Sequence, residues 1–173
     1  MLIEIEETLN PNVRNFYFSA PLLAQYQAEY AHKNDKKLSP LMENIFKIGQ
    51  IEEVLLLPDM LFVKKEEGGD WPSLSPQIMA ELVDADFEWF RHFEPQKEKV
   101  LKQIEALTES KIRPYLQRDG GNIELIKLEN GVLSVKLNGR CHGCPHAAQT
   151  FQNAVETTIK KYIKDVNQIK RED

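Results

Sequence analysis

Residues 122–145 have the sequence NIELIKLENGVLSVKLNGRCHGCP, and they organise the second half of the chain. Two alternating apolar runs flank Asn130-Gly131, and an Asn-Gly pair between such runs is a strong signal for a two-residue hairpin turn. A short loop with both cysteines of the chain, Cys141 and Cys144, follows the second run directly. The sequence therefore predicts a β-hairpin that carries a Cys-x-x-Cys pair at the end of its second strand.

Helices are predicted on both sides of this hairpin. Before it, apolar residues at helical spacing run from about Gln96 to Gln117, and Asp119–Gly121 ends the helix. After it, Pro145 suits the first turn of a helix that continues to about Ile163, and the segment VNQIK predicts a last short strand. The second half is thus expected to have the order αββαβ.

The first half of the chain predicts a separate sheet with its own helices. The segments LIEIEET and NFYFS have strand patterns, and a turn joins two further strands within residues 51–65. Helices are predicted to begin at Ser39-Pro40 and Ser75-Pro76, because serine caps a helix well and proline suits its first position. The polar segment QAEYAHKNDKKLS is predicted to be an exposed loop or the end of a short helix.

These patterns predict an α+β protein with two small domains, each a small sheet with packed helices. The polar seam HFEPQKEKV contains Pro95, which should end the helix before it. We expect an N-terminal domain over residues 1–93, a linker over 94–97 and a C-terminal domain over 98–173.

The composition is that of a globular protein, and it argues against several classes of function. The chain has 173 residues, of which 42% are hydrophobic and 28% charged, and a net charge of -5. An acidic chain without a basic block argues against nucleic acid as a partner. The sequence has no apolar run of the roughly 20 residues that cross a membrane. The start MLIEIEETLN has the pattern of neither a signal peptide nor a transit peptide, so we expect a cytoplasmic protein.

The composition of the cysteine loop favours anionic sulfur. In a reducing cytoplasm, two cysteines this close are more often metal-binding or redox-active than a structural disulfide. Cys144 stands before Pro145, in the slot that serine has in both helix starts above, and the N-terminus of a helix stabilises a thiolate. Gly139 and Gly143 allow a bulky ligand to approach the backbone, and Arg140 adds a positive charge.

Counting donors indicates that one chain supplies half of a metal site. Zinc and cubane iron–sulfur clusters take about four ligands, and the nearby His142 and His146 would give only a cramped arrangement with the two thiols. A twofold dimer would supply Cys141 and Cys144 twice, giving four thiolates around one cluster. Such a shared, open site suits delivery of a cargo rather than its storage.

Two other uses of the cysteine pair stay open on the residues alone. One is a thiol–disulfide oxidoreductase with Cys141 as nucleophile, although the motif follows a hairpin near the C-terminus, unlike the early motif of thioredoxin-like proteins. The other is a zinc-stabilised interaction module. The sequence shows no paired carboxylates for acid–base catalysis, no phosphate-binding glycine loop and no nucleophile elbow.

The second half of the chain resembles the C-terminal domain of Nfu/NifU iron–sulfur proteins over roughly Lys97–Arg171. The resemblance is carried by IRPYLQRDGGNIELIKLENGVLSVKLNGRCHGCP and the helix after it, with RP in the first helix, DGG before the hairpin and Cys-x-x-Cys-Pro after it. The segments TLNPNVRNF, SPLMENIFKIGQIEEVLLLPDMLFVKK and DWPSLSPQI are similar to the N-terminal domain of many Nfu proteins, over roughly Met1–Phe93.

The resemblance implies a carrier or late scaffold rather than an enzyme. Such a protein would receive a 4Fe–4S cluster from a cluster-donating scaffold protein, hold it between the two subunits of a homodimer, and pass it to apo iron–sulfur proteins. Cys141 and Cys144 would be the cluster ligands, and a 2Fe–2S cluster is also compatible with four thiolates. His142 and Arg140 stand where the family has small or varied residues, so they could alter cluster stability or transfer rate.

Three further features are predicted to have structural roles. Asp119–Gly121 is predicted to stop a helix, with Asp119 as a ligand or base as the alternative. Arg113 is predicted to be a helix-surface charge, with a role in orienting the loop or a partner as the alternative. The aromatic run over residues 87–93, which includes Trp89, is predicted to serve core packing and domain contact, with a docking face as the alternative.

Overall fold

The structure is a computed structural model that describes residues 1–94, 96–139, 149 and 151–172. The chain divides into two compact units, Met1–Gln96 and Lys97–Asp173, which are called the first and second unit below. Each unit pairs a sheet with helices, so the predicted α+β class is confirmed. The finer division into residues 1–93, 94–97 and 98–173 stays a prediction.

The described residues of the first unit form a five-stranded antiparallel sheet with the strand order β1-β2-β5-β4-β3. The predicted hairpin joins β5, the central strand, to its neighbour β4 through Pro58-Asp59. The strands are β1 (Ile3–Glu7), β2 (Val13–Phe18), β3 (Glu29–His32), β4 (Ile51–Leu57) and β5 (Met60–Lys65).

The residues described in the first unit also form two α-helices and a 3-10 helix. Helix α1 (Pro40–Lys47) begins as predicted, because the Ser39 hydroxyl accepts a hydrogen bond from the Met42 N–H at 3.2 Å. Helix α2 (Trp71–Asp84) and a 3-10 helix (Phe87–His92) follow. Their apolar faces join one side of the sheet in a single core, and burying a large side chain of this kind stabilises the unit by about 1.5–3 kcal/mol. The largest members of the core include Phe16, Met42, Ile45, Leu56, Leu61, Ile78 and Leu82.

The predicted exposed loop before α1 contains a buried strand instead. Strand β3 pairs with β4, and its Tyr30 and Ala31 are buried. Glu29 is buried too, because its carboxylate accepts a hydrogen bond from the Ser39 N–H at 2.9 Å. The first part of the segment is therefore buried strand, and only the part after β3, which includes Lys36 and Lys37, is exposed as predicted.

The predicted start of the second helix was also wrong. Helix α2 begins four residues earlier than Ser75, where the Asp70 carboxylate accepts a hydrogen bond from the Ser73 N–H at 3.1 Å. Ser75 is a buried residue inside the helix, and its hydroxyl accepts a hydrogen bond from Arg14 at 3.1 Å. Pro76 likewise lies inside α2 rather than at its first position.

The second unit has the predicted order αββαβ. Its sheet has the strand order β6-β7-β8, with β6 antiparallel and β8 parallel to β7. The helix after the cysteine loop continues through a π-helical turn at Phe151–Glu156. The other elements are a 3-10 turn (Lys97–Lys99), α3 (Val100–Leu107), a π-helical turn (Thr108–Ile112), α4 (Arg113–Arg118), β6 (Gly121–Glu129), β7 (Val132–Gly139), α5 (Thr157–Tyr162) and β8 (Gln168–Arg171).

The first helical stretch of this unit shows why its proline is tolerated. Pro114 stands in the first turn of α4, and the π-helical turn Thr108–Ile112 comes directly before it. Proline lacks the N–H for an i−4 hydrogen bond, and its ring would clash with that carbonyl in a regular helix. The wider turn accommodates the proline without ending the helical stretch.

The hairpin turn has the predicted geometry. Asn130 and Gly131 have φ angles of 50° and 77°, the positive values that a type I′ turn needs at both central residues. The Gly131 carbonyl also accepts hydrogen bonds from the N–H groups of Asn167 (2.8 Å) and Gln168 (3.1 Å). The turn therefore anchors the start of β8 as well as joining β6 to β7.

None of the helices formed by the described residues combines the length and the apolar character needed to cross a membrane.

Candidate metal site at the end of the hairpin

The two predicted ligands, Cys141 and Cys144, lie outside the described residues. The same holds for the predicted neighbours that surround them in sequence: Arg140, His142, Gly143, Pro145 and His146. The structure does describe the strand that enters the loop, which ends at Gly139, and the helical segment from Phe151 onward that follows it. These two described segments are the part of the candidate site whose geometry follows.

Gly139 is the last described residue before the loop, and only glycine fits its position. Its φ is +70°, in the left-handed region that glycine favours. A Cβ atom at this position would lie 2.5 Å from the backbone oxygen of Gly120, well inside van der Waals contact. The close approach of these two backbones therefore fixes the end of β7.

The Asp119–Gly121 segment has a second role beyond the predicted helix stop. It does end α4, because the N–H groups of Asp119 and Gly120 both donate 3.1 Å hydrogen bonds to carbonyls of the last helical turn. Gly121 then pairs with Gly139 across the hairpin. The segment therefore supports the base of the cysteine loop, which was not predicted from the sequence.

A register shift in the hairpin brings these glycines together. Between Leu125 and Lys127, strand β6 has one more residue than its partner, and Ile126 is the extra residue. Counting outward from the turn without the bulge would place Asn122 opposite Gly139. With the bulge, Gly121 takes that place, which leaves no side chain between the two strands at the loop.

Arg113 is more than a helix-surface charge. Its side chain is two-thirds buried, with 33% exposed, and one terminal nitrogen donates a hydrogen bond to the Ile123 carbonyl at 3.4 Å. Its Nε atom lies 3.5 Å from the Glu109 carboxylate, which is an ion-pair distance but forms no hydrogen bond. Arg113 thus links the helical stretch to β6, the strand that supports the loop base.

The helix after the loop is fixed to the core of its unit. Val155, Ile159 and Tyr162 are buried, as the predicted apolar face requires. The ammonium groups of Lys161 and Lys111 also form cation–π contacts with the Tyr162 ring, at 4.6 Å and 5.4 Å from its centre. Both ends of the cysteine loop therefore attach to well-packed secondary structure.

The two units differ in charge. Residues 1–96 contain 17 acidic and 8 basic residues, a net charge of -9, whereas residues 97–173 contain 10 acidic and 14 basic residues, a net charge of +4. A positively charged unit lowers the electrostatic cost of gathering several thiolates. The unit that contains both cysteines is thus the one suited to anionic ligands.

Two lysines among the described residues of the first unit have a raised pKa. The hydrogen bond to Glu66, at 2.5 Å, raises the pKa of Lys33. Burial lowers the pKa of Lys64, but ion pairs with Glu53 and Glu52, both at 3.4 Å, outweigh that effect and raise it. The Lys64 pairs join the neighbouring strands β4 and β5, whereas the Lys33 pair joins the residues that follow β3 and β5.

No three His, Cys, Asp or Glu side chains are arranged to hold a metal ion within the part of the chain that the structure describes. The metal donors predicted from the sequence remain Cys141 and Cys144.

A comparison with solved structures finds partial likenesses. The crystal structure of protein SAV1430 from Staphylococcus aureus aligns with 47% of this chain and 99% of its own, with a TM-score of 0.41 and 23% sequence identity.

Curated relatives match almost the whole chain. A protein of Homo sapiens named NFU1 iron-sulfur cluster scaffold homolog, mitochondrial, is 29% identical over 182 residues, which cover 99% of this chain and 72% of the relative. A protein of the same name from Drosophila persimilis is 26% identical over 187 residues, which again cover 99% of this chain. The chain spans 65% of the length of that relative.

Family models match both halves of the chain in order. Residues 3–86 match the model described as scaffold protein Nfu/NifU N terminal, and residues 104–170 match the NifU-like domain. The second match contains the hairpin, the cysteine loop and the helix that follows. The chain therefore belongs to the Nfu/NifU family, with an Nfu-type N-terminal domain followed by a NifU-like domain.

Proposed function

We propose that this protein is an iron–sulfur cluster carrier or late scaffold rather than an enzyme. It receives a 4Fe–4S cluster, holds it between two copies of the chain, and passes it to apo iron–sulfur proteins. The observation that carries the proposal is the pair of family matches in the expected order, with a single Cys-x-x-Cys motif inside the NifU-like match. The names of the curated relatives, which describe iron–sulfur cluster scaffold homologs, support the same function.

The proposed ligands are the thiolates of Cys141 and Cys144 from each of two copies. One chain has two cysteines, whereas a 4Fe–4S cluster takes four thiolates, so a second copy completes the set. The glycine contact between Gly139 and Gly120 supports this arrangement, because it fixes the end of β7 that leads to the cysteines in the same way in both copies. The net charge of the NifU-like domain also favours thiolates.

A site that two copies share can release its cluster when the copies separate. This property suits a carrier whose partners are a cluster-donating scaffold protein on one side and apo iron–sulfur proteins on the other. A 2Fe–2S cluster would use the same four thiolates, and the family is the reason to propose the larger cluster. The cytoplasmic location stays a prediction.

Anaerobic reconstitution with ferrous iron and sulfide tests the function. We expect about four irons per two chains and visible sulfide-to-iron absorption, with both signals lost in Cys141→Ala and in Cys144→Ala. The matched control is His146→Ala, which removes the other candidate donor near the motif and should retain the iron. Unchanged iron in Cys141→Ala, or a purified protein that takes up zinc and no iron–sulfur cluster, would contradict the proposal.

A second assay separates the carrier from a thiol–disulfide oxidoreductase. Insulin reduction at the rate of the uncatalysed reaction is expected for the wild-type protein. Catalytic reduction that disappears in Cys141→Ser would instead favour the redox function, because the first cysteine of such a pair is the attacking thiol.

A further inference from the structure

The first unit has an open cleft on its surface, far along the chain from either cysteine. Its volume is about 320 Å³, and it lies between the start of α1, the end of α2 and the 3-10 helix that follows. The buried side chains of Leu41 and Phe90 contribute apolar surface to it. The cleft is thus a preformed cavity with an apolar surface at the end of a helix pair.

Carboxylates surround this apolar surface. Glu81, Asp84 and Asp86 line the cleft, and its lining includes no lysine or arginine among the described residues. Glu81 and Asp84 form no ion pair with any residue that the structure describes, and Asp86 only accepts a 3.0 Å hydrogen bond from the Glu88 N–H. The N-terminus of α1 contributes roughly half a positive charge, which three carboxylates outweigh.

Trp89 forms a fixed aromatic surface beside these carboxylates. It was predicted to pack in a core, yet 39% of its surface is exposed. Its ring is held by Phe90 at 5.1 Å in an edge-to-face contact and by Phe93 at 5.4 Å. An exposed indole that its neighbours keep in place can accept a cation over its face without first losing rotational freedom.

The apolar surface, the carboxylates and the exposed indole together indicate a site for an extended organic cation rather than for a metal ion. Within the described part of the chain, these carboxylates are not gathered closely enough to form a metal site. Arginine and lysine side chains match what the cleft offers, because their stems bury apolar surface while their charged heads pair with carboxylates and stack on indole. The net charge of -9 on this unit would also attract a basic partner over a distance.

We propose that this cleft docks a basic segment of a partner protein, with an arginine or lysine side chain stacked on Trp89 and paired with Glu81 and Asp84. The proposal goes beyond the cluster-carrier function, because it concerns a surface of the cysteine-free N-terminal domain and needs no bound cluster.

Peptide binding to the full-length, cluster-free chain tests the proposal. The probe is a fluorescein-labelled peptide of arginine, leucine and glycine, and the control probe has glutamate at every arginine. We expect the basic probe to bind and the acidic probe not to bind. In Glu81→Gln/Asp84→Asn the affinity for the basic probe should fall by about fivefold or more, since two charge pairs are lost.

A matched variant separates the cleft from general attraction to an acidic domain. Glu4→Gln/Glu67→Gln removes the same two charges from exposed positions on the same unit, and its affinity should stay within about twofold of the wild type. Trp89→Leu keeps an apolar side chain but removes the indole, and should weaken binding by about threefold or more. Near-ultraviolet circular dichroism and the denaturation midpoint establish that each variant is folded.

Two results would overturn the proposal. One is a basic probe that does not bind the wild-type chain. The other is equal loss of affinity in the cleft variant and the Glu4/Glu67 variant, which would show attraction by net charge without a docking site.

Discussion

The two units of this protein are similar in size but differ in what holds their key features in place. The first is a five-stranded sheet with two capped helices over one apolar core, and it carries a net charge of -9. The described residues of the second form a three-stranded sheet and two π-helical turns, and the unit has a net charge of +4. Side-chain packing dominates the first unit, whereas the candidate site of the second depends on the path of the backbone.

Two glycines show this difference at single-residue scale. Gly49, between α1 and β4, and Gly139, before the cysteine loop, have φ angles of +85° and +70°. A Cβ at Gly49 would meet no atom within 4 Å, whereas a Cβ at Gly139 would meet the Gly120 carbonyl at 2.5 Å. The first glycine serves only a turn, and the second also permits a close contact between two backbones.

The largest expected effect is the loss of a core aromatic in the first unit. Phe16 is fully buried in the core cluster, so Phe16→Ala should lower the free energy of unfolding by about 3–5 kcal/mol through lost burial and a cavity. This change is measured by urea unfolding, with hydrogen exchange in residues 1–96 as the probe of the first unit. The control is Val83→Ala, at a position that is 64% exposed, which should stay within about 0.5 kcal/mol of the wild type. Equal effects of the two substitutions would contradict the core assignment.

The second effect tests the backbone contact at the loop. Gly139→Ala should lower the free energy of unfolding of the second unit by about 2–3 kcal/mol, because it adds a clash to the strain of a positive φ. It should also reduce the iron retained after reconstitution. Gly49→Ala has the backbone strain without the clash, so it should lower the free energy of unfolding by about 1 kcal/mol. Its iron content after reconstitution should equal that of the wild type. A Gly139→Ala protein as stable as Gly49→Ala would show that the contact does not constrain the loop.

A smaller effect is expected from the link between helix and hairpin. Arg113→Met removes the contacts to Glu109 and the Ile123 carbonyl but keeps an apolar stem, so the second unit should lose about 1 kcal/mol. Arg118→Met, on the same helix at an exposed position, is the control and should change stability by less than about 0.5 kcal/mol. The urea midpoints of the two variants measure the difference. Identical midpoints would show that Arg113 is only a surface charge and that its contacts do not stabilise the unit.

The smallest effect concerns the ion pairs of the first sheet. The raised pKa of Lys64 means that its pairs with Glu52 and Glu53 stabilise the fold fully below the ordinary lysine pKa of about 10.4 and lose that effect as pH rises through the raised pKa. Lys64→Met should therefore cost less than about 1 kcal/mol at pH 8, and this cost should shrink as the pH rises through the raised pKa of Lys64. Lys36→Met, an exposed lysine, controls for the loss of one charge. A Lys64→Met cost that does not change with pH would contradict the assignment.

The elements that were predicted correctly from the sequence depend on local chemistry. The turn at Asn130-Gly131 needs two positive φ angles, and Asn-Gly is the pair that adopts them most easily. The start of α1 at Ser39-Pro40 needs a hydroxyl and a fixed φ, both of which those residues provide. All the residues that determine such a turn or helix start lie within a few positions of one another, so the local sequence is enough to predict it.

The elements that were missed depend on residues far away in the chain. Strand β3 was not predicted, because the burial of Tyr30 depends on β4 and the burial of Glu29 on α1. At the start of α2, the Trp71 indole N–H donates to the Pro11 carbonyl at 2.8 Å, which favours Asp70 as the cap over the equally plausible Ser75.

The candidate site was also predicted only in part. The motif itself identified Cys141 and Cys144, and their role stays a prediction because they lie outside the described residues. The glycine contact beneath the loop could not be predicted, because the bulge at Ile126 shifts the pairing by one residue. A bulge has no reliable local signal, since it inserts an extra residue of any type.

The central claim is that one cluster is held by two copies of the chain, and native mass spectrometry of the reconstituted protein tests it most directly. Each chain has a mass of 20.0 kDa, so one-chain and two-chain species are easily separated. We predict that a complete 4Fe–4S cluster accompanies only the two-chain species, and that mixing in excess Cys141→Ala/Cys144→Ala chains gives no mixed dimer that carries a cluster. A one-chain species with a complete cluster, or mixed dimers that retain one, would contradict the account.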